Sequence, residues 1–204
     1  MTPNIKYIIV IVLSIWVSPA YSVAYCALRD PVDKIYKLFP EATTYRSIVH
    51  EIDGTVQQQV KSQMSFSIHQ NELGQHTLYI AMDEQRALGI VHARSEVGLW
   101  GLVEIVWALD FDMNVLDFMF QRCRERACKQ LSDVSFRQII QNKSVPELAI
   151  LLKQDTTFNS PSITDDEDAK ALVETIIRSA IKTVLVTQYS WHDQLQEYMK
   201  TMPE

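Results

Sequence analysis

The chain has 204 residues and is short of several things. It has only five glycines and three cysteines, and its ionisable groups sum to a net charge of −6. No basic stripe offsets that balance, so nucleic acid is not an expected partner. The surface should be mildly acidic, which bears on solubility rather than on mechanism. An odd cysteine count cannot pair completely within one chain. No C-x-x-C and no histidine cluster completes a zinc site. G-x-S-x-G, the P-loop and G-x-G-x-x-G are all missing, and with them the usual signatures of a serine hydrolase, a nucleotide phosphatase and a dinucleotide enzyme. No constellation for an independent hydrolase or transferase appears. The apolar stretch at the start, "YIIVIVLSIWV" from Tyr7 to Val17, has eleven residues, whereas a membrane span needs about 20.

What is present begins with that stretch. It follows one positive charge, in "MTPNIK", and precedes small residues at cleavage spacing in "SPAYSVA". This is the layout of a secretory leader over residues 1–24, with an uncleaved anchor as the other reading. The bulky Tyr25 before Cys26 spoils a lipoprotein box. The expectation is a periplasmic or secreted protein that meets a membrane only through a partner or an uncleaved leader. Residues 25–204 are enough for one domain with a core, at 47% hydrophobic residues overall. An oxidising compartment favours a disulfide. Cys123 and Cys128 lie five apart, and a helical segment between them would point them to different sides. The expected pair is therefore Cys26 with Cys123.

"RDPVDKIYKLFP" reads as a helix, with Asp30 as cap, Pro31 in the first turn and Pro40 as stop. "TTYRSIVHEI" reads as a strand and "DGTVQQQVKSQM" as a weak helix or an irregular piece. "SFSIHQ", "QHTLYIAM", "ALGIVHAR", "GLVEIVWALD" and "VLDFMFQRC" read as strands joined by short turns, hence an antiparallel meander. The last third is helical. "SDVSFRQIIQNK" starts near Ser132, and "SVPELAILLKQ" has Ser144 as cap. In "AKALVETIIRSAIKTVL" an apolar stripe runs from Ala169 to Val184, with Thr164 and Glu167 as a capping box. "WHDQLQEYMK" reads as a short terminal helix. The fold class is α+β: one antiparallel sheet of about five strands with flanking N-terminal and C-terminal helices.

Each candidate site has a plain structural reading beside it. His69 and His76 flank "QNELGQ" and can face each other across a hairpin, but without a third ligand they are more simply strand-end histidines. Glu104 interrupts the apolar face formed by Leu102, Val106 and Ala108. It is either a site carboxylate or one paired across strands. Trp100, in "GLWG", either stacks on a flat ligand or caps a core edge. Gly98 and Gly101 either shape a tight turn or let backbone approach a ligand.

The segment "LGIVHARSEVGLWGLVEIVWALDFDMNVLDFMFQRCRE" resembles the core of the FMN-binding domain family. That domain occurs in exported flavin subunits of the sodium-pumping quinone reductase, in related electron-transport complexes and in the regulator of nitrous oxide reductase. "KIYKLFPEAT" is similar to the family's entry helix, and the final helix follows a polar loop as the family's does. The resemblance implies FMN as cofactor, a redox or envelope protein as partner, and a pocket lined by Ser95, Gly98, Trp100 and Gly101, with Glu104, Ser162 and Thr164 as further contacts. Members with covalent flavin carry an S-G-A-T-like box whose threonine holds FMN through its phosphate. Here that region reads "NSPSITDDEDAK". Ser162 and Thr164 keep rough register, the Gly-Ala pair is missing, and four acidic residues, Asp165 to Asp168, follow that would repel a phosphate. The departure points to non-covalent flavin in an electron-transfer accessory, or to a flavin-free interaction module on the same fold.

Overall fold

The computed structural model describes residues 30–153 and 166–199. The leader, Cys26, Ser162 and Thr164 lie outside the described residues.

The architecture is α+β. Five strands form one antiparallel sheet in sequence order: β1 (Thr44–Ile52), β2 (Gly74–Asp83), β3 (Arg86–Gly98), β4 (Gly101–Leu109) and β5 (Val115–Arg122). Every strand pairs with its sequence neighbour, as the short connections predict. β2 turns into β3 at Glu84, whose φ is +52°. At the β4–β5 turn, the Asp110 carboxylate accepts the backbone N–H and side-chain amide of Asn114.

Alternation along the strands gives the sheet two faces. Ile90, Ile105, Trp107, Leu109 and Phe118 belong to the main core beneath the last helix. Val91, Ala93, Val106 and Ala108 face the other way, onto Ile35 and Phe39. Those two residues belong to the first helix and its end, α1 (Val32–Leu38). Pro31 flanks α1, and no side-chain hydrogen bond caps it among the described residues, so Asp30 is not its cap.

α2 (Gly54–Gln63) is a regular helix, capped by Asp53 accepting from Thr55 and Val56. "SFSIHQ" is not a strand. It runs irregularly into a short 3-10 turn at Gln70–Glu72. Three helices follow the sheet: α3 (Cys128–Leu131), α4 (Val134–Ile140) and α5 (Val145–Lys153). Asp133 caps α4, one residue later than the sequence suggested.

The last helix, α6 (Glu167–Met199), is continuous over 33 residues and absorbs the expected separate terminal helix. All eight positions of its predicted stripe are buried, from Ala169 to Val184. Its first turn is capped by Asp166, which accepts from Asp168 N–H at 3.0 Å.

The disulfide expectation is corrected. Cys123 is bonded to Cys128, with Cα atoms 6.1 Å apart, and not to Cys26. The segment between them is not helical: β5 ends at Arg122 and α3 begins only at Cys128. The geometric objection to a five-residue separation falls with that helix.

Candidate functional site

β3 carries His92, Arg94 and Glu96 at alternate positions, so all three point to the face under α6. Each is buried. Opposite them, α6 contributes Lys182 and Thr187, both buried. Glu72, at the end of the 3-10 turn, completes the group.

The contacts form a chain of alternating charge. Arg94 Nη2 donates to Glu72 Oε2. Lys182 Nζ donates to Glu72 Oε1 at 3.1 Å and to Glu96 Oε2 at 2.6 Å. The backbone N–H of His69 also donates to Glu72 Oε1, at 2.7 Å. With both carboxylates ionised the four side chains are neutral as a set, and with Glu96 protonated they carry one positive charge. Burial raises the Glu72 carboxyl, but the Arg94 and Lys182 charges outweigh it and hold Glu72 below the ordinary value. Burial wins at Glu96, whose carboxyl is pushed up despite Lys182, with the Glu72 charge adding to the rise.

Beyond Arg94 the polar strip continues as neutral rings. His92 Nδ1 lies 2.9 Å from Thr187 Oγ1, and its ring packs edge-on against Trp191 and His76. Burial and the Arg94 charge hold His92 well below its ordinary value. The same two causes depress His76 to about 4.

Several buried atoms of the strip have no hydrogen-bond partner among the described residues: Glu96 Oε1, Arg94 Nε and Nη1, and His92 Nε2. Native interiors leave few such groups, and each calls for an explanation. Glu96 lines a cleft of about 350 Å³ between the 3-10 turn, β3 and α6. Its walls include Phe66, Glu72, Lys182 and Arg178, the last with its guanidinium over the Phe66 ring at 5.5 Å. A smaller chamber of about 260 Å³ adjoins it, with Val97 and Thr175 lining both.

Among the described residues, the sequence-derived pocket residues lie on the sheet face away from α6 and at the β3–β4 tip. Ser95 and Glu104 are direct cross-strand neighbours on the face away from α6. Glu104 also lies opposite Arg122, with a 3.7 Å ion pair, so its cross-strand reading holds. Gly98 and Gly101 pair with each other and bracket the two-residue turn Leu99–Trp100. Gly101 has a φ of +121°, a conformation that favours glycine. Trp100 is 54% exposed, with the Arg126 guanidinium over its ring at 5.3 Å. Gly98 alone borders the smaller chamber. His69 and His76 do not face each other across a hairpin: His69 caps the 3-10 turn, while His76 bonds the Glu72 carbonyl. No group of three potential ligands is placed to hold a metal among the described residues.

Sequence reasoning missed Glu72, Arg94, Glu96 and Lys182. Two signals were present. "HARSE" puts three ionisable residues on one face of a strand whose neighbour, β4, is apolar on that face. "SAIKTVL" sets a lysine inside an apolar helical stripe.

Comparison with protein-family models, with curated proteins and with solved structures finds no match for this chain. No helix among the described residues is long and apolar enough to cross a membrane.

Proposed function

We propose that this chain is an exported flavoprotein accessory that holds FMN without a covalent bond and serves electron transfer with an envelope or redox partner. The observation that carries the reading is the buried Glu96 carboxylate, bonded to Lys182, beside a cleft with an aromatic wall and two cations. The resemblance of the β3–β5 segment to FMN-binding domains narrows the ligand to a flavin.

The residues present fit such a group. The cleft volume falls at the lower end of the range for small-molecule sites. Phe66 offers a face for a flat ring. Lys182 and Arg178 line the cleft as charged donors for an anionic ligand. A bound flavin supplies one- and two-electron redox chemistry. The protein's part is to orient the ring and to exclude water along the α6 side. Under this reading the ligand lies on the α6 face of the sheet, and Ser95 and Glu104 do not touch it.

The test is a visible spectrum and an intact mass of the purified protein, followed by an FMN titration. Flavin absorption with unmodified mass, or saturable uptake of added FMN, is expected. Lys182→Met should weaken uptake about tenfold, the worth of one charged hydrogen bond. A colourless protein that ignores added FMN rejects the reading.

One observation favours the flavin-free module. The β3–β4 tip presents Val97, Leu99 and Trp100, each more than half exposed, as an apolar knob. Such surfaces mark interaction sites. Failure to take up flavin would leave this as the standing account.

A further inference from the structure

We infer that a cavity on the outer edge of β5 binds a small amphiphilic oxyanion, an apolar body carrying a phosphate or carboxylate head. This site does not depend on the flavin reading, whose cleft lies between the 3-10 turn, β3 and α6.

β5 is the last strand of the sheet, and among the described residues its outer side is paired only by the bridge from Val115 to Lys143. Both α1 and α4 pack against it. A cavity of about 230 Å³ lies where they meet it. Its apolar wall is Phe118, Met119 and Phe120. Successive strand residues point to opposite faces, so the cavity wraps the free edge of the strand. Its charged wall is Lys34, Lys37 and Arg137. A spacing of three puts the two lysines on one face of α1, and Arg137 comes from α4, far along the chain. Among the described residues no acid lines the cavity, in a chain whose net charge is −6.

The cations have acidic neighbours that do not use them up. Asp33 accepts from Lys34 at 2.8 Å and lies 3.7 Å from Lys37, and Asp117 accepts from Arg137 Nη1. Two carboxylates against three cations leave one positive charge uncompensated. Donors remain as well. Lys37 is beyond hydrogen-bond reach of Asp33, and its side chain is 60% exposed. Lys34 commits one of its three N–H groups to Asp33. Arg137 is 19% exposed, and its Nη2 bonds nothing among the described residues. Ser132, the other polar lining residue, gives its proton to Cys128 O at 2.6 Å, so the cations are what meets a head group. A wall of one charge sign in a low-dielectric setting concentrates ions of the other. A bare ion would leave the two phenylalanines and Met119 facing water, whereas an apolar body covers them. The volume is below the roughly 300 Å³ of a drug-sized site, which limits that body to a ring or a short chain.

The probes are phenyl phosphate, inorganic phosphate and phenol, each titrated into the full chain by isothermal calorimetry. Phenyl phosphate should bind about tenfold more tightly than inorganic phosphate, the gain from burying about 60 Å² of ring. Phenol, the body without the head, should bind more weakly than phenyl phosphate. Lys37→Glu should cost phenyl phosphate about tenfold, the worth of one hydrogen bond to a charged group. Lys61→Glu makes the same change of charge on the exposed side of α2 and should leave the affinity within about twofold. Both lysines are exposed, and circular dichroism checks that both variants fold. Absence of saturable phenyl phosphate binding would overturn the site. Equal affinity for phenyl phosphate and inorganic phosphate would reduce it to a bare anion contact, and equal affinity for phenol would reduce it to an apolar crevice. Equal losses in Lys37→Glu and Lys61→Glu would assign the binding to overall charge and overturn the placement at β5.

Discussion

Glu125 and Gly98 share one space: the Glu125 carboxylate that accepts the Trp100 N–H occupies the position a side chain on Gly98 would need. A Cβ there would also lie 2.9 Å from Val103 Cγ2, closer than real contacts allow. The glycine pair of "VGLWG" thus has a local cause. Gly98 admits a carboxylate from another loop, and Gly101 supplies a backbone turn.

Gly98→Ala should therefore expel Glu125 and release the tip, at a cost of about 2 kcal/mol. Urea denaturation of the single variants and of Gly98→Ala with Glu125→Ala checks this. The pair should be markedly less than additive, because the second change removes the clash made by the first. Full additivity would mean that the two residues do not compete.

Removing Lys182 should be costly for a different reason. Lys182→Met leaves Glu72 and Glu96 buried with one cation between them, a loss of about 3 kcal/mol. Adding Glu96→Gln should restore part of it, since the stranded charge disappears. A Lys182→Met protein as stable as the original would show that the cluster is not a closed network.

Acid should weaken the fold through His76 and His92. His76 titrates near 4 in the folded protein against an ordinary 6.5, and burial holds His92 well below its ordinary value too. A depressed folded value means a contribution present above pH 6.5 and lost as pH falls toward 4. For His76 the full effect is on the order of 3 kcal/mol. Glu96 runs the other way: its raised value favours the fold below about 4.5 and loses that contribution as pH rises. Denaturation midpoints from pH 7 to 4.5 should fall for the protein as it is and fall less for His76→Gln, which keeps a donor for the Glu72 carbonyl. Parallel curves would assign the acid limb elsewhere.

The disulfide gives a covalent test. Trypsin cuts after Arg124 and Arg126, inside the closed loop, so non-reducing digestion should yield two peptides joined through Cys123 and Cys128. A peptide joining Cys26 to Cys123 would contradict the pairing. Reduction should cost about 2 kcal/mol for so short a loop on the chain-entropy model.

Much of this fold could be read from the sequence because its signals are local. Four strands joined by tight turns declare themselves through alternation and turn residues, as at "DEQR". The stripe of α6 declares itself through helical spacing. The site is different. Glu72, Arg94, Glu96 and Lys182 are meaningful only once a sheet face and a late helix are superposed, and Lys182 is 110 residues from Glu72. "SFSIHQ" misled because Phe66 and Ile68 alternate like a strand, while in the fold Ile68 is buried and Phe66 forms the cleft wall. The cysteine pairing failed on one local assumption, that the stretch from Cys123 to Cys128 would be helical.

The strand order has a consequence in time. Each strand finds its partner in the segment just before it, so the whole sheet can assemble while the last fifty residues are still unplaced. During that interval His92, Arg94 and Glu96 lie on an open face, where water satisfies them and discourages a second sheet from stacking on it. Arrival of α6 dries that face and brings Lys182 between the two carboxylates. A sheet formed before α6 docks would therefore present charge on that face instead of bare apolar surface.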